Sequence, residues 1–269
     1  MNFSPKGPTP QETITANVNA TLSILRSAAR FAAPSADKPG VKRFVYTSSS
    51  GAAAMPRPGT PYTVDATSYN HQAVAITLSG KGPTGMAGGY ITYSAAKTRA
   101  ELELWKWYEE EKPGFVLNSV VPNAALGKVF LPEHQGFPTA VGAMRHLWQG
   151  NITPDFVAMF PAPKYTVASL CSSRIHVAAL LLADVLSERL IAYAGKFNIN
   201  DLLAAFRQIL PDRKFPDDLP DLPSDEGTIA NERATQLMER LQGGKGWTSL
   251  KECLAPLAEQ YAAAEAETK

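Results

Sequence analysis

The segment Phe115-Val116-Leu117-Asn118-Ser119-Val120-Val121 is the tightest constraint on what this chain can fold into. It is largely apolar at successive positions, so neither of its two faces is meant for water. Such a strand belongs in a parallel sheet covered by helices on both sides. Pro113-Gly114 precedes it and Pro122-Asn123 ends it. A second β-rich run, Lys42-Arg43-Phe44-Val45-Tyr46-Thr47, breaks into Ser48-Ser49-Ser50-Gly51. Between the two, a helical pattern runs from Tyr93 to Glu111, with Ala95, Leu102, Trp105 and Tyr108 at apolar positions. Strand, loop, helix and strand in that order predict a doubly wound α/β unit. Right-handed crossover predicts that Arg43–Thr47 and Phe115–Val121 lie parallel, side by side or nearly so.

Upstream, Pro10 to Phe31 reads as a helix, with Thr9 as N-cap and Glu12 completing a capping box. Ile14, Val18, Leu22 and Leu25 share one face, and Ser35, Pro39 and Gly40 punctuate the end. Residues 56–89 are rich in Gly, Pro, Ser and Thr and read as a long surface excursion. After about Leu126 the pattern changes. Helices are expected at Val141–Gln149, Ile175–Ser187, Asn200–Ile209 and Asn231–Gln242, with Pro-rich links between them, and Ala262–Lys269 as a fraying end or tail. The expected domains are therefore 1–125, the remainder of the parallel-sheet domain, and 126–269, a smaller, mostly helical lobe. Of 269 residues 45% are hydrophobic and 19% charged, which is ample for a core. A net charge of +1 argues against nucleic acid or an acidic membrane surface as partner. The longest apolar stretch, Val177 to Val185, is shorter than the roughly 20 residues that cross a bilayer and reads as a buried helix face. Cys171 and Cys253 lie far apart, as free thiols of a reducing compartment would. A cytoplasmic protein is the resulting expectation.

Two features can do chemistry. Tyr93 and Lys97 are four apart on a helix, which places phenol and ammonium on one face. A cation one turn away favours a phenolate and makes such a hydroxyl a usable acid or base near neutrality. The serines at the end of the first strand can hydrogen-bond a substrate carbonyl, or serve only as turn residues.

Together, Val41 to Gly51 and Tyr93-Ser94-Ala95-Ala96-Lys97 resemble the extended short-chain dehydrogenases/reductases, within them the dihydroflavonol-4-reductase-like aldehyde and ketone reductases. Asn17 to Thr21, Pro122-Asn123 and Gly244-Lys245-Gly246-Trp247 carry the resemblance over nearly the whole chain. It implies a Rossmann-like parallel sheet and a reductase that takes NADP, favoured by the resemblance, or NAD. It implies Tyr93 as general acid/base, Lys97 as its partner and ribose ligand, and Ser49, aligned better than Ser48 or Ser50, as the catalytic serine. Ser48, Tyr93, Lys97, Pro122 and Asn123 fall on the cofactor side. The substrate implied is a small carbonyl compound or alcohol; the oligomeric state is open.

Two departures bear on that reading. Family members begin with a strand, a Gly-x-x-Gly-x-x-Gly turn and a helix that binds pyrophosphate. Here the clustered glycines, Gly82 to Gly89, come after the serine loop with no clear strand feeding them, and Pro83 removes a backbone donor. The sheet is accordingly expected to be partial, the chain N-terminally truncated and its own dehydrogenase activity slight or absent. Ala168 and Cys171 stand where the family carries aspartates ahead of the histidine, so His176 reads as a packing or surface residue. A sugar-nucleotide epimerase or dehydratase, or an inactive remnant of the fold, are the alternatives.

Overall fold

The computed structural model describes residues 7–33, 40–158 and 164–267, the side chains at 155, 158 and 164–170 excepted. The turn expected at Ser35 and Pro39 and the Ala168 side chain lie outside the described residues. The elements run α1 (Pro10–Arg30), β1 (Arg43–Thr47), α2 (Ser50–Ala53), β2 (Tyr62–Val64), α3 (His71–Ser79), α4 (Gly85–Glu111), β3 (Val116–Pro122), β4 (Ala124–Leu126), α5 (Pro132–Gln135) and α6 (Thr139–Trp148). They continue with α7 (Pro154–Ala158), β5 (Lys164–Ala168), α8 (Ser169–Leu181), β6 (Arg189–Ala192), β7 (Lys196–Phe197), α9 (Ile199–Ile209), β8 (Gly227–Ile229), α10 (Glu232–Gln242) and α11 (Leu250–Ala266). The chain forms two compact units. The first is built from the chain up to Met55, Val64–Val121 and His176–Ile191; the second from Pro56–Thr63, Pro122–Ile175 and the chain from Ala192 on.

In the first unit β1 and β3 pair in parallel, from Arg43 beside Val116 to Thr47 beside Val120, as the two apolar runs predict. β6 completes the sheet in the order β1-β3-β6. α1 starts where its capping box places it, Thr9 and Glu12 exchanging side-chain and backbone hydrogen bonds. α1 and α4 bury Leu25, Leu104 and Trp107 against Phe115 and Leu117, with Phe44 and Tyr46 alongside. Each fully buried Leu or Phe there contributes roughly 1.5–3 kcal/mol. A second cluster joins Ile14, Ala73, Ile91, Ala95 and Ala96.

Three expectations need correction. α4 begins at Gly85, eight residues before Tyr93, so Tyr93 stands well inside the helix and not in its first turn. The stretch 56–89 is not a structureless excursion: it holds β2 and α3, the latter capped by Asn70 Oδ1 on the Ala73 amide. The third concerns α8, which starts at Ser169 and ends at Leu181, with Val177, Leu180 and Leu181 43%, 47% and 70% exposed while Ile175, Ala178 and Ala179 are buried. Side chains from the sheet stop this helix. Asn118 Nδ2 donates to the carbonyls of Ala179 (2.9 Å) and Val185 (3.3 Å), and Arg43 Nη1 donates to the same two at 3.2 and 2.7 Å.

The second unit is not helical throughout. β4 and β5 pair in parallel, β7 pairs antiparallel with β5, and β2 pairs with β8. α9 and α11 each open with a capping box, Asn198 with Asp201 and Ser249 with Glu252. Around Trp148 gather Phe206, Phe215 and Tyr261, with the Arg213 guanidinium 3.9 Å above its ring centre. α11 carries the helix on to Ala266, where a frayed tail was expected. Among the described residues no helix is long and apolar enough to cross a membrane.

Candidate active site

The carboxyl end of β1 is where the chemistry-bearing side chains of the first unit collect. Ser48 has both of its donors engaged: its amide donates to Val120 O (2.8 Å) and its hydroxyl to Glu101 Oε2 (2.7 Å). At 3% exposure its side chain is committed to the interior, which leaves only its carbonyl to face a ligand. Ser49 is extended (φ −158, ψ 151) and caps α2, its Oγ accepting from the Gly51 amide at 3.2 Å. Because that oxygen is used as an acceptor, the Ser49 O–H hydrogen is free to donate elsewhere.

α2 lies directly against α4. A Cβ added at Gly51 would stand 2.6 Å from Ser94 Oγ and 3.3 Å from Ser94 Cβ, and Ser94 follows Tyr93. Gly51→Ala is expected to lower stability by about 1–3 kcal/mol through overpacking, read as a drop of several degrees in a thermal melt. Adding Ser94→Ala, which removes the nearest atom, should recover much of the loss; no recovery would show that the helix backbone and not the hydroxyl sets the limit.

Lys97 reaches from α4 to the end of β1. Its Nζ donates to the Thr47 carbonyl at 3.0 Å and lies 5.4 Å above the centre of the Tyr46 ring. Burial pushes the Lys97 ammonium below the ordinary lysine range, while the Glu101 carboxylate opposes that shift. Burial likewise pushes Tyr46 up to about 12, with the nearby charges of Glu101 and Tyr93 acting in the same direction against a hydrogen bond from Thr21. The Tyr93 ring stacks beside Tyr90, centroids 6.4 Å apart. His176, expected as a packing or surface residue, places Nε2 2.8 Å from Thr47 Oγ1, so Thr47 is held from both sides. Cys171 is buried, with Sγ 3.2 Å from Thr248 Oγ1.

Of the remaining sequence candidates, Pro122 closes β3, and Asn123 follows it with Oδ1 accepting from the Ala124 amide. Trp247 donates from Nε1 to Thr235 Oγ1. The glycines at 82, 85 and 88 have the spacing of a phosphate-binding turn, but Gly82 lies between α3 and α4 and the other two lie in the first turns of α4, so a helix leads into them. A dinucleotide cradle is fed by a strand. Lys97 and Ser49 thus stand at the β1 end, with Tyr93 one turn before Lys97 on α4.

Sequence reasoning missed Glu101 and Arg189. Glu101 lies one turn beyond Lys97, wholly buried, and Arg189 of β6 grips it with Nε and Nη2, both at 2.9 Å. Ser119 Oγ adds a further bond at 2.7 Å. The spacing Tyr93, Lys97, Glu101, every four residues down one helix face, was the available signal.

No protein-family model matches the chain. It is 35% identical over 249 residues to aldehyde reductase 2 of Sporidiobolus salmonicolor, covering 91% of this chain and 68% of that protein. It is 31% identical over 246 residues to the NAD-dependent epimerase/dehydratase terH of Aspergillus terreus, covering 91% and 69%. Among solved structures, yeast methylglyoxal/isovaleraldehyde reductase Gre2 complexed with NADPH superposes with a TM-score of 0.75 at 20% identity, over 98% of this chain and 75% of that one. That likeness establishes a shared fold. The chain thus spans about two thirds of the length of these relatives, with a strand-end serine loop and a Tyr-x-x-x-Lys helix set against it, and it belongs to the extended short-chain dehydrogenases/reductases.

Proposed function

We propose that this chain carries out NAD(P)-dependent reduction of an aldehyde or ketone, or oxidation of the corresponding alcohol. The observation that carries the reading is Lys97 fastened to the end of β1, on the helix that bears Tyr93 and packs against the segment capped by Ser49. A bound nicotinamide cofactor supplies the hydride; everything else falls to the side chains. The Ser49 hydroxyl donates to the carbonyl oxygen and orients it. Tyr93 delivers the proton to that oxygen as negative charge develops there. Lys97 supports charge on the Tyr93 oxygen and holds the ribose, and Pro122 and Asn123 bound the nicotinamide side, Ser48 contributing main chain alone. NADP is favoured over NAD by the family resemblance. The substrate is a small carbonyl compound or alcohol, selected by the later half of the chain, and the location is cytoplasmic.

Pyrophosphate normally rests on glycine-turn amides and a helix N-terminus. Among the described residues no strand leads into a glycine turn of that spacing; the glycines at 82, 85 and 88 follow α3. The test is calorimetric titration of NADPH and NADH into the purified chain, with oxidation of the reduced cofactor followed at high concentration with simple aldehydes and ketones. Carbonyl-dependent oxidation, one cofactor per alcohol formed, is the expected result. A folded chain that shows none at any cofactor concentration overturns the proposal. The terH relative favours a second reading, an epimerase or dehydratase, in which substrate is converted with no net loss of reduced cofactor.

A further inference from the structure

Ser49 follows a residue whose two donors are both engaged. The Ser48 hydroxyl ends on Glu101, and the Glu101 carboxylate has two donors on each oxygen: Ser119 Oγ and Arg189 Nε on Oε1, Ser48 Oγ and Arg189 Nη2 on Oε2. All four distances lie between 2.7 and 2.9 Å, the range of charge-assisted bonds. Arg189 does not stop there. Its Nη1 donates to the Ser68 carbonyl at 2.7 Å and reaches those of Ala66 and Asp65 at 3.3 and 3.5 Å, while its guanidinium stacks 4.2 Å above the Tyr69 ring centre. Asn70, next in the chain, returns to the serine segment: its Nδ2 donates to Gly51 O (2.8 Å) and its amide to Ala52 O (2.9 Å).

These bonds close a circuit. It runs from Ser48 through Glu101 and Arg189 to residues 65–70, and from Asn70 back to Gly51 and Ala52. Ser49 and Ser50 are the two residues left between the anchors, and Ser49 Oγ is tied to the Gly51 amide. We propose that Glu101 and Arg189 are positioning residues, which hold the Ser49 hydroxyl in place through Ser48 on one side and through the 65–70 segment on the other. Neither residue touches substrate. The use made of the Ser49 hydroxyl rests on the reductase reading above; its being held does not.

The Gly51 amide reports directly on this, because its acceptor is Ser49 Oγ. Hydrogen exchange at that amide is measured in the parent chain, in Ser48→Ala and in Glu101→Gln, with the Val116 amide, bonded to Lys42 O at 3.0 Å, as the reporter of general loosening. Ser48→Ala leaves the Glu101–Arg189 pair intact and keeps the test alive if Glu101→Gln fails to fold. Exchange at Gly51 is expected to rise about tenfold, the loss of one hydrogen bond's protection, with Val116 unchanged. Unchanged exchange at Gly51 in Ser48→Ala, or an equal rise at Val116, overturns the proposal. If the chain turns over carbonyl substrate, Ser48→Ala should also lower kcat while leaving the cofactor KM in place. A chain without turnover leaves the exchange result standing, so the two ideas fail separately.

Discussion

Tyr93→Phe is expected to lower turnover by about 10²–10⁴-fold, the range in which a positioned acid or base acts. The substitution deletes one oxygen and keeps the ring that stacks beside Tyr90. α4 should be undisturbed, since the Tyr90 contact is kept and Tyr93 lies outside the two core clusters described above. Cofactor binding should change little, because Lys97 retains its place at the Thr47 carbonyl. The measurement is kcat and the cofactor dissociation constant on the same preparations. Turnover within a few-fold of the parent would remove Tyr93 from the proton-transfer role, and a collapse of cofactor affinity would make it a binding residue instead.

The largest effect on stability is expected at Arg189. Arg189→Met leaves the Glu101 carboxylate, which is fully buried, with two hydroxyl donors and without its ion-pair partner. It also takes the Arg189 donor from the carbonyls of Asp65, Ala66 and Ser68. Breaking one side of a buried pair costs about 3–5 kcal/mol. For a chain of this size that corresponds to a fall in Tm on the order of 10 °C. The double variant Glu101→Leu, Arg189→Met removes both charges together, and replacing a buried pair by apolar side chains is often close to neutral. It should melt well above Arg189→Met, though below the parent, since the Ser48 and Ser119 hydroxyls lose the carboxylate and the Asp65, Ala66 and Ser68 carbonyls lose the guanidinium. A double variant as unstable as the single one would place the cost in those carbonyls and not in the stranded charge.

The features legible in the sequence are those with local causes. β1 and β3 announce themselves by composition, and their parallel pairing follows from chain order and handedness. The Thr9–Glu12 box and the Tyr93–Lys97 spacing are complete within a few residues. The start of α4 was hidden because Gly85, Gly88 and Gly89 have low helix propensity; the buried Ile91 and Ala95 that hold the helix in place act from further along it. β6 is four residues long, too short to show a period, although every one of them is buried. Ser48 illustrates the limit within the site. Nothing in Ser-Ser-Ser distinguishes a hydroxyl turned toward Glu101 from one that caps the next helix. That difference is decided by partners 53 positions away in one case and two in the other.

The carboxylate of Glu101 also bears on how this fold comes apart. It draws on residues 53, 18 and 88 positions distant in the chain. A chain folded only locally has none of these bonds. Bringing such distant residues together carries loop-closure entropy, and a charge gains nothing by leaving water before its partners have arrived. The cluster is therefore completed after the strands are paired, late on the folding route. Bonds made that late contribute little to how fast the native state forms and a great deal to how slowly it opens. Glu101 and Arg189 are in that sense a latch on the β1–β3–β6 sheet, one whose effect is on the lifetime of the native state and its resistance to proteolysis through rare opening.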